Sequence, residues 1–317
     1  MSDLPNQVRI VEAGPREGFQ IEKGPISTDD KIRFIEALAE TGLEEVECVS
    51  FVNPKRVPSM ADAEEIAARV RRRPGVRYTG IWLNARGLER AAASGIDLKG
   101  RLSCSASEIF SLKNAGADFA EELARQRAYV PRYLELGLGD CWLSVMTAFG
   151  CNYSGDVAPE RVIEVIRKSR ENVEALGARV VGVSLADTVG WAAPSSVERL
   201  IGKVRETWPE LGLKLHLHDT RGTGLANAYA GLRLGVARFD SSCGGLGGCP
   251  FASHKGASGN ISTEDLVFMC EEMGIATGVD LEALIGCARL AEEIVGHAVP
   301  GKVMRGGTLA RARAKAA

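Results

Sequence analysis

Two patterns of hydrophobic positions alternate along the chain. Short apolar segments rich in β-branched residues predict buried strands, and longer segments with apolar residues every three or four positions predict amphipathic helices. The predicted strands cover about 8–11, 45–50, 77–83, 98–104, 141–146, 179–185, 213–218 and 236–241. The helices predicted to follow them cover about 27–41, 61–72, 86–93, 115–136, 159–176, 195–207, 225–234 and 263–273. The pattern therefore predicts eight strand–helix pairs.

Strands that alternate with helices predict a parallel sheet, and eight pairs are the number that closes a (β/α)8 TIM barrel. A doubly wound open sheet is the alternative, although no G-x-G-x-x-G fingerprint follows the first strand. We expect one catalytic domain over residues 1–317, with the barrel at about 8–275 and extra C-terminal helices at about 279–305. The tail, 306–317, is rich in alanine and arginine and is expected to be disordered.

The composition limits the classes of binding partner and the cellular compartment that we expect for this protein. Apolar residues make up 45% of the chain and the formal net charge is −2, which argues against a general nucleic-acid surface. No apolar run approaches the roughly 18 residues of a membrane-spanning helix, and the first residues do not resemble a secretory signal. The eight cysteines have no paired spacing, which favours reduced thiols over disulfides. We therefore expect a cytoplasmic protein without a membrane or nucleic-acid partner.

The predicted seventh strand carries two of the four histidines of the chain. Alternate residues of a strand share a face, so His216 and His218 should project together, opposite Leu215 and Leu217. Two converging imidazoles followed by Asp219 are typical of half a metal site. A pair of satisfied core histidines is the alternative, so the remaining ligands have to come from elsewhere in the chain.

Further polar residues stand where predicted strands end, which is where (β/α)8 barrels place their active sites. These residues are Arg16, Glu17, Glu47, Ser105, Ser107, Asp187 and Thr188. The last predicted strand leads into a glycine-rich loop at 243–250 that contains Cys249, and then to Asn260. The glycines indicate a mobile loop, whereas Cys249 by itself also fits a small buried apolar residue.

Several sequence blocks occur together in the order found in one enzyme family. The blocks are Gly14–Lys23, Ser50–Lys55, Leu185–Thr188, His216–Thr220, Gly244–Pro250, Gly256–Asn260 and Thr263–Val267. Over about Val8 to Ile285 the chain resembles the 3-hydroxy-3-methylglutaryl-CoA (HMG-CoA) lyase family. That family is part of a metal-dependent barrel superfamily that also contains isopropylmalate and homocitrate synthases.

The resemblance implies a site for a divalent ion, Mg²⁺ or Mn²⁺, because its ligand set is rich in oxygen. The implied ligands are Glu17, His216, His218 and Asn260. The implied catalytic residues are Arg16 at the enolate oxygen, Asp187 and His216 for the hydroxyl proton, Glu47 as a positioning group and Cys249 as a proton donor. The implied contacts of the acyl-CoA substrate are Gln20, Lys23, Ser107 and Thr188.

The implied reaction is a retro-Claisen cleavage of HMG-CoA, or of a related 3-hydroxyacyl-CoA, to acetyl-CoA and a keto acid. The chain departs from the family at Glu17, where aspartate is usual, and also at Ile21, Trp142, Ser144 and Arg221. Apart from Glu17, these changes concern the expected surroundings of the substrate, which predicts the same chemistry on a different acyl group.

Two alternatives from other classes remain open at this point. One is a metal-dependent hydrolase, because histidine pairs on barrel strands also occur there, and the other is a binding protein inactivated by the Glu17 change. We also expect a homo-oligomer, most simply a dimer, because barrel enzymes often associate.

Overall fold

The structure is a computed structural model that describes residues 4–248, 259–310 and 313. The chain divides into two compact units. The central unit contains the described residues from Leu98 to Arg238, and the terminal unit contains 5–97, 239–248 and the described residues from 259 onward.

All eight predicted strands are present. They are β1 Arg9–Glu12, β2 Glu45–Ser50, β3 Arg77–Ile81, β4 Gly100–Ser105, β5 Asp140–Met146, β6 Arg179–Ala186, β7 Gly212–His216 and β8 Arg238–Ser241. The longer helices are α1 Thr28–Ala39, α2 Ala63–Arg69, α3 Ala85–Ser94, α4 Glu108–Ala115, α5 Phe119–Glu135, α6 Pro159–Glu174, α7 Pro194–Thr207, α8 Gly224–Arg233, α9 Thr263–Glu272 and α10 Leu281–Val295. A short helix, α11, follows at Val303–Gly306.

Within each unit the strands are parallel neighbours. In the terminal unit the order is β3-β2-β1-β8, with Val46 of β2 opposite both Glu12 of β1 and Tyr78 of β3. In the central unit the order is β4-β5-β6-β7. Parallel pairing brings the carboxyl ends of neighbouring strands to one edge, which is where the sequence places its polar candidates.

Local capping chemistry explains where several helices begin. Ser27 accepts a hydrogen bond from the Asp30 backbone N–H at 3.0 Å, as the sequence predicts for the start of α1. The helix predicted at 115–136 is confirmed as α5, whereas α4 at Glu108–Ala115 was not predicted. Gly116, at φ +60°, ends α4, and Asp118 begins α5 through a reciprocal capping box with Glu121.

Two local predictions near the polar candidates need correction. The segment after β1 is not an open loop, because Gly14–Gly18 forms one π-helical turn that continues into a short helix at Phe19–Ile21. Strand β7 ends at His216, so His218 lies two residues beyond the strand.

The C-terminal helices predicted at 279–305 correspond to α10 and α11. Thr308 of the tail is buried and donates a hydrogen bond to Glu282 Oε1 at 2.7 Å. Residues 311, 312 and 314–317 of the predicted disordered tail lie outside the described residues. In the described part of the chain, no helix combines the length and the apolar character that crossing a bilayer requires.

Candidate functional site

The two histidines of the central unit converge on one point. His216 ends β7 opposite Ala186 of β6, and its Nε2 lies 3.1 Å from Nε2 of His218, which is only 2% exposed. Leu215 and Leu217 are buried, as expected for the opposite face. Two imidazole nitrogens that bind one ion at right angles, each at about 2.1 Å, stand roughly 3 Å apart. The observed spacing therefore fits a pair of metal ligands.

Asp187 follows β6 in the same unit and is buried. Its carboxylate accepts hydrogen bonds from the backbone N–H groups of Trp191 at 2.6 Å and Ala192 at 3.1 Å. Burial raises the pKa of Asp187, against the opposing effect of these two donors and of the charges of His218 and Arg221. A carboxyl group with a raised pKa is suited to exchanging protons with a substrate.

The terminal unit brings together Arg16, Glu17 and Glu47. Arg16 and Glu17 stand on the π-helical turn, and Glu47 stands on β2. Arg16 Nε lies 2.6 Å from Glu47 Oε1, and Arg16 Nη2 lies 2.9 Å from Glu17 Oε2. Burial alone would lower the pKa of Arg16, but the charges of Glu47 and Glu17 raise it above its usual value. The guanidinium is therefore permanently charged and held in one orientation by two buried carboxylates.

Asn260 lies beside Glu17 in the terminal unit, with Gly247 between them. A Cβ atom placed on Gly247 would lie 2.9 Å from Asn260 Nδ2 and 3.2 Å from Glu17 Cγ. Asn260 is buried, and within the described residues its Oδ1 accepts no hydrogen bond. A buried amide oxygen without a donor, next to a carboxylate, is a suitable pair of hard oxygen ligands for Mg²⁺ or Mn²⁺.

The four predicted substrate contacts differ in burial and in the hydrogen bonds that they make. Gln20 is half-buried and Lys23 is exposed, both next to the π-helical turn. Ser107 caps α4 and accepts a hydrogen bond from Ser154 Oγ at 3.0 Å, and Thr188 Oγ1 accepts one from the Thr147 backbone at 2.8 Å. The two hydroxyl groups therefore already support local backbone structure. Cys249 lies outside the described residues.

Two departures from the family make internal contacts. Trp142 extends over the amino-terminal half of the neighbouring strands, because a Cβ atom on Gly182 or Gly212 would lie 2.6 Å or 3.0 Å from its ring. Arg221 donates hydrogen bonds to the carbonyl oxygens of Val189 and Gly190 at 2.9 Å and 2.7 Å. Their place in the surroundings of the substrate stays a prediction.

Two buried carboxylates were not among the predicted site residues. Glu12 accepts hydrogen bonds from the backbone of Gly14 and Cys243 at 2.8 Å and 2.9 Å and from Thr263 Oγ1 at 2.6 Å. Glu264 accepts one from the Gly244 backbone at 3.0 Å. Both therefore hold the start of the glycine-rich segment that follows β8. An acidic residue at the carboxyl end of the first strand was the available signal for Glu12.

Burial raises the pKa of Glu12 to about 7, although its three donors oppose the shift. The folded state then binds more protons than the unfolded state between about pH 4.5 and 7, so stability falls as the pH rises through this range. We expect Glu12→Gln to remove a pH-dependent loss on the order of 3 kcal/mol in the free energy of unfolding. Urea unfolding at pH 5 and pH 7 measures this loss.

Glu164 is half-buried on the surface of α6, its pKa is lowered to about 2 by Lys168 and Arg161, and it provides the control. Glu164→Gln should leave the difference between pH 5 and pH 7 as it is in the unmodified protein. Equal pH dependence in Glu12→Gln and the unmodified protein would contradict a raised pKa at Glu12.

Comparison with known proteins gives a consistent assignment. The HMGL-like family model matches residues 7–291. The 3-hydroxy-3-isohexenylglutaryl-CoA/hydroxy-methylglutaryl-CoA lyase of Pseudomonas aeruginosa is 40% identical over 93% of this chain and 95% of its own. The solved HMG-CoA lyase of Bacillus subtilis has 39% identity and a TM-score of 0.88, covering 96% of this chain and 98% of its own. An HMG-CoA lyase of Acinetobacter baumannii, solved with coenzyme A and 3-methylmalate, has 38% identity and a TM-score of 0.86, with 96% of each chain covered.

These matches define a TIM-barrel enzyme of the carbon–carbon lyase class. The chain belongs to the HMGL-like family, whose members depend on a divalent metal ion. The predicted barrel, family and lyase class are thus confirmed, and the open doubly wound sheet is excluded. The hydrolase alternative has no support among the relatives.

Proposed function

We propose that this lyase cleaves HMG-CoA, or a closely related 3-hydroxyacyl-CoA, to acetyl-CoA and a keto acid. The convergence of His216 and His218 carries the proposal, because their spacing fits the metal pair that the family requires. The names of the relatives support the substrate class, and the coenzyme A in the Acinetobacter structure supports an acyl-CoA ester.

We further propose, because the family resemblance implies it, that Glu17, Asn260, His216 and His218 are the ligands of one Mg²⁺ or Mn²⁺ ion. A carboxylate oxygen, an amide oxygen and two imidazole nitrogens are a suitable donor set for either ion. When bound, the ion would lower the pKa of the substrate hydroxyl and hold the adjoining carboxylate. Glu17, longer than aspartate by one methylene, is accommodated beside Gly247, where no side chain competes for space.

The remaining roles follow from the chemistry of the cleavage. The hydroxyl on C3 loses its proton and becomes a carbonyl, the C2–C3 bond breaks, and its electron pair moves into the thioester enolate. Arg16, held by Glu47, stabilises the enolate oxygen. Asp187 and His216 are the proposed groups for the hydroxyl proton. His216 could accept it only while its Nε2 is not bound to the ion, because a neutral imidazole that binds an ion through Nε2 carries its own proton on Nδ1. Cys249 is the proposed proton donor to C2.

Gln20, Lys23, Ser107 and Thr188 remain proposed contacts of the acyl-CoA. Thr188 can contribute while it keeps its observed bond, because its hydroxyl oxygen has a second lone pair and a proton. Ser107 accepts bonds from Phe110 and Ser154 and also bonds Cys151, so it would have to exchange one of these partners for the substrate. A homodimer and a cytoplasmic location are also proposed, although relatives named mitochondrial and cytoplasmic both occur. A single domain over the whole chain is likewise proposed.

The function is tested by following the release of acetyl-CoA from HMG-CoA. We expect turnover that disappears on treatment with a chelator and returns with Mg²⁺ or Mn²⁺. Hydrolysis of the thioester to free coenzyme A without carbon–carbon cleavage would contradict the lyase assignment. Equal turnover in the presence of the chelator would contradict the metal site.

Gly247→Ala tests the proposed contact between Glu17 and Asn260. Gly247 has φ +92°, and an added Cβ would collide with Asn260 and press on Glu17, so both ligands should move. We expect the affinity for Mn²⁺ to fall roughly 10- to 100-fold, as it does when ligand orientation is disturbed. Calorimetric titration with Mn²⁺ measures the affinity.

Gly286→Ala is the matched control, because Gly286 lies within α10 and an added Cβ meets no atom within 4 Å. Its Mn²⁺ affinity should equal that of the unmodified protein. An unchanged affinity in Gly247→Ala would show that Glu17 and Asn260 do not both ligate the ion.

A further inference from the structure

One face of the central unit carries the side chains of β4 to β7 in three horizontal rows, which the strand register defines. The row nearest the carboxyl ends contains His216, opposite Ala186. The middle row contains Lys214 opposite Ser184, then Ser144 and Ser103 on the next two strands. The lowest row ends in Trp142 and Arg101, which stand opposite each other. Side chains in register on parallel strands share a face, so the middle row lies directly below His216.

The three serines of the middle row, Ser103, Ser144 and Ser184, are termed the serine row. Ser103 is exposed although it stands in the middle of β4, so this face is open to solvent at that level. Ser184 is only 3% exposed, and its Oγ has no hydrogen-bond partner within the described residues. Ser144 is half-buried between them. A buried hydroxyl without a partner, next to two others that are more accessible, is an arrangement that a polar ligand would complete.

The rows above and below the serine row define its access. Above it, Ala186 and His216 stand on β6 and β7, so only a methyl group follows Ser184 on the same face of β6. Below it, the Trp142 ring lies across Gly182 and carries the Arg238 guanidinium at 5.3 Å from the ring centroid. The serine row therefore lies between an aromatic floor and the row that contains His216.

We propose that the serine row is a subsite for a polar substituent on C3 of the substrate, one that carries a hydroxyl group or another oxygen where HMG-CoA has methyl. This inference rests on the proposed function, because the C3 hydroxyl must be held near His216. A methyl group at C3 has neither a donor nor an acceptor for the hydroxyl groups of the row. A hydroxymethyl group extends further and offers both a donor and an acceptor to the row.

The inference is tested with three thioesters: HMG-CoA, 3-hydroxy-3-(hydroxymethyl)glutaryl-CoA and 3-hydroxy-3-isohexenylglutaryl-CoA. We expect the unmodified enzyme to have its highest kcat/KM with the hydroxymethyl ester. Ser144→Ala and Ser184→Ala should each reduce the preference for this ester over HMG-CoA roughly 5- to 10-fold, the value of one lost hydrogen bond. HMG-CoA cleavage itself should change less than twofold.

Ser169→Ala is the matched control. Ser169 lies on α6, and its Oγ contacts Cys104 Sγ at 3.8 Å, on the opposite face of β4 from Ser103. The ratio of kcat/KM values should be unaffected by this variant.

The possible outcomes separate the two proposals. Cleavage of HMG-CoA with a ratio that neither serine variant changes would overturn the subsite and leave the proposed function standing. A highest kcat/KM with the isohexenyl ester, increased further by Ser144→Ala, would show that the occupant is apolar and would also overturn the subsite. If none of the three esters is cleaved in the presence of metal, both the proposed function and the subsite are overturned.

Discussion

His218→Ala is expected to remove tight binding of the divalent ion and to lower kcat/KM at least about 10³-fold, which corresponds to roughly 4 kcal/mol of transition-state stabilisation. The imidazole of His218 is buried and its Nε2 lies 3.1 Å from that of His216. Alanine leaves one imidazole where the ion requires two. Metal analysis after dialysis, together with the rate of acetyl-CoA release, measures both effects.

His297→Ala is the control for this prediction. His297 is exposed and pairs with Glu22 at 3.0 Å, and it is not one of the proposed ligands. Its metal content and turnover should equal those of the unmodified enzyme. If His218→Ala kept its metal and lost only turnover, His218 would act on the substrate and would not be a ligand.

Arg16→Lys is expected to lower kcat about 10²- to 10³-fold with the metal content unchanged. Lysine keeps the positive charge but not the fork that binds Glu47 and Glu17 at once. The loss matches the usual effect of removing one oxyanion donor. Steady-state kinetics with HMG-CoA and metal analysis of the same samples test the prediction.

Arg90→Lys separates loss of catalysis from loss of a forked ion pair, which is half-buried at Arg90. Arg90 makes a comparable fork with Glu64, at 2.5 Å and 2.8 Å, in the same unit. We expect a turnover within twofold of the unmodified enzyme. A parallel loss of metal and turnover in Arg16→Lys would mean that Arg16 acts by holding Glu17.

The observed elements show how much of this fold local sequence patterns predict. The alternation of strands and helices predicted the barrel because each element repeats its own hydrophobic period. The helix predicted at 115–136 corresponds to α5, but α4 just before it was missed because hydrophobic periodicity says little about a break between two helices. Gly116 and Asp118 contained the signal, a left-handed cap followed by an N-cap. Local patterns also did not predict the role of the Glu12 carboxylate, because its hydrogen-bond partner Cys243 is 231 residues away in the sequence.

The sequence by itself determined the class of this protein. The strand period placed His216 and His218 on one face, and seven ordered blocks indicated the family that the comparisons confirmed. The tertiary structure decided the contacts between distant residues, because local periodicity carries no information about them. The approach of Asn260 to Glu17 past Gly247, and the alignment of three serines below His216, depend on close packing and strand register. Both arise between residues distant in sequence, so only the folded chain brings them together.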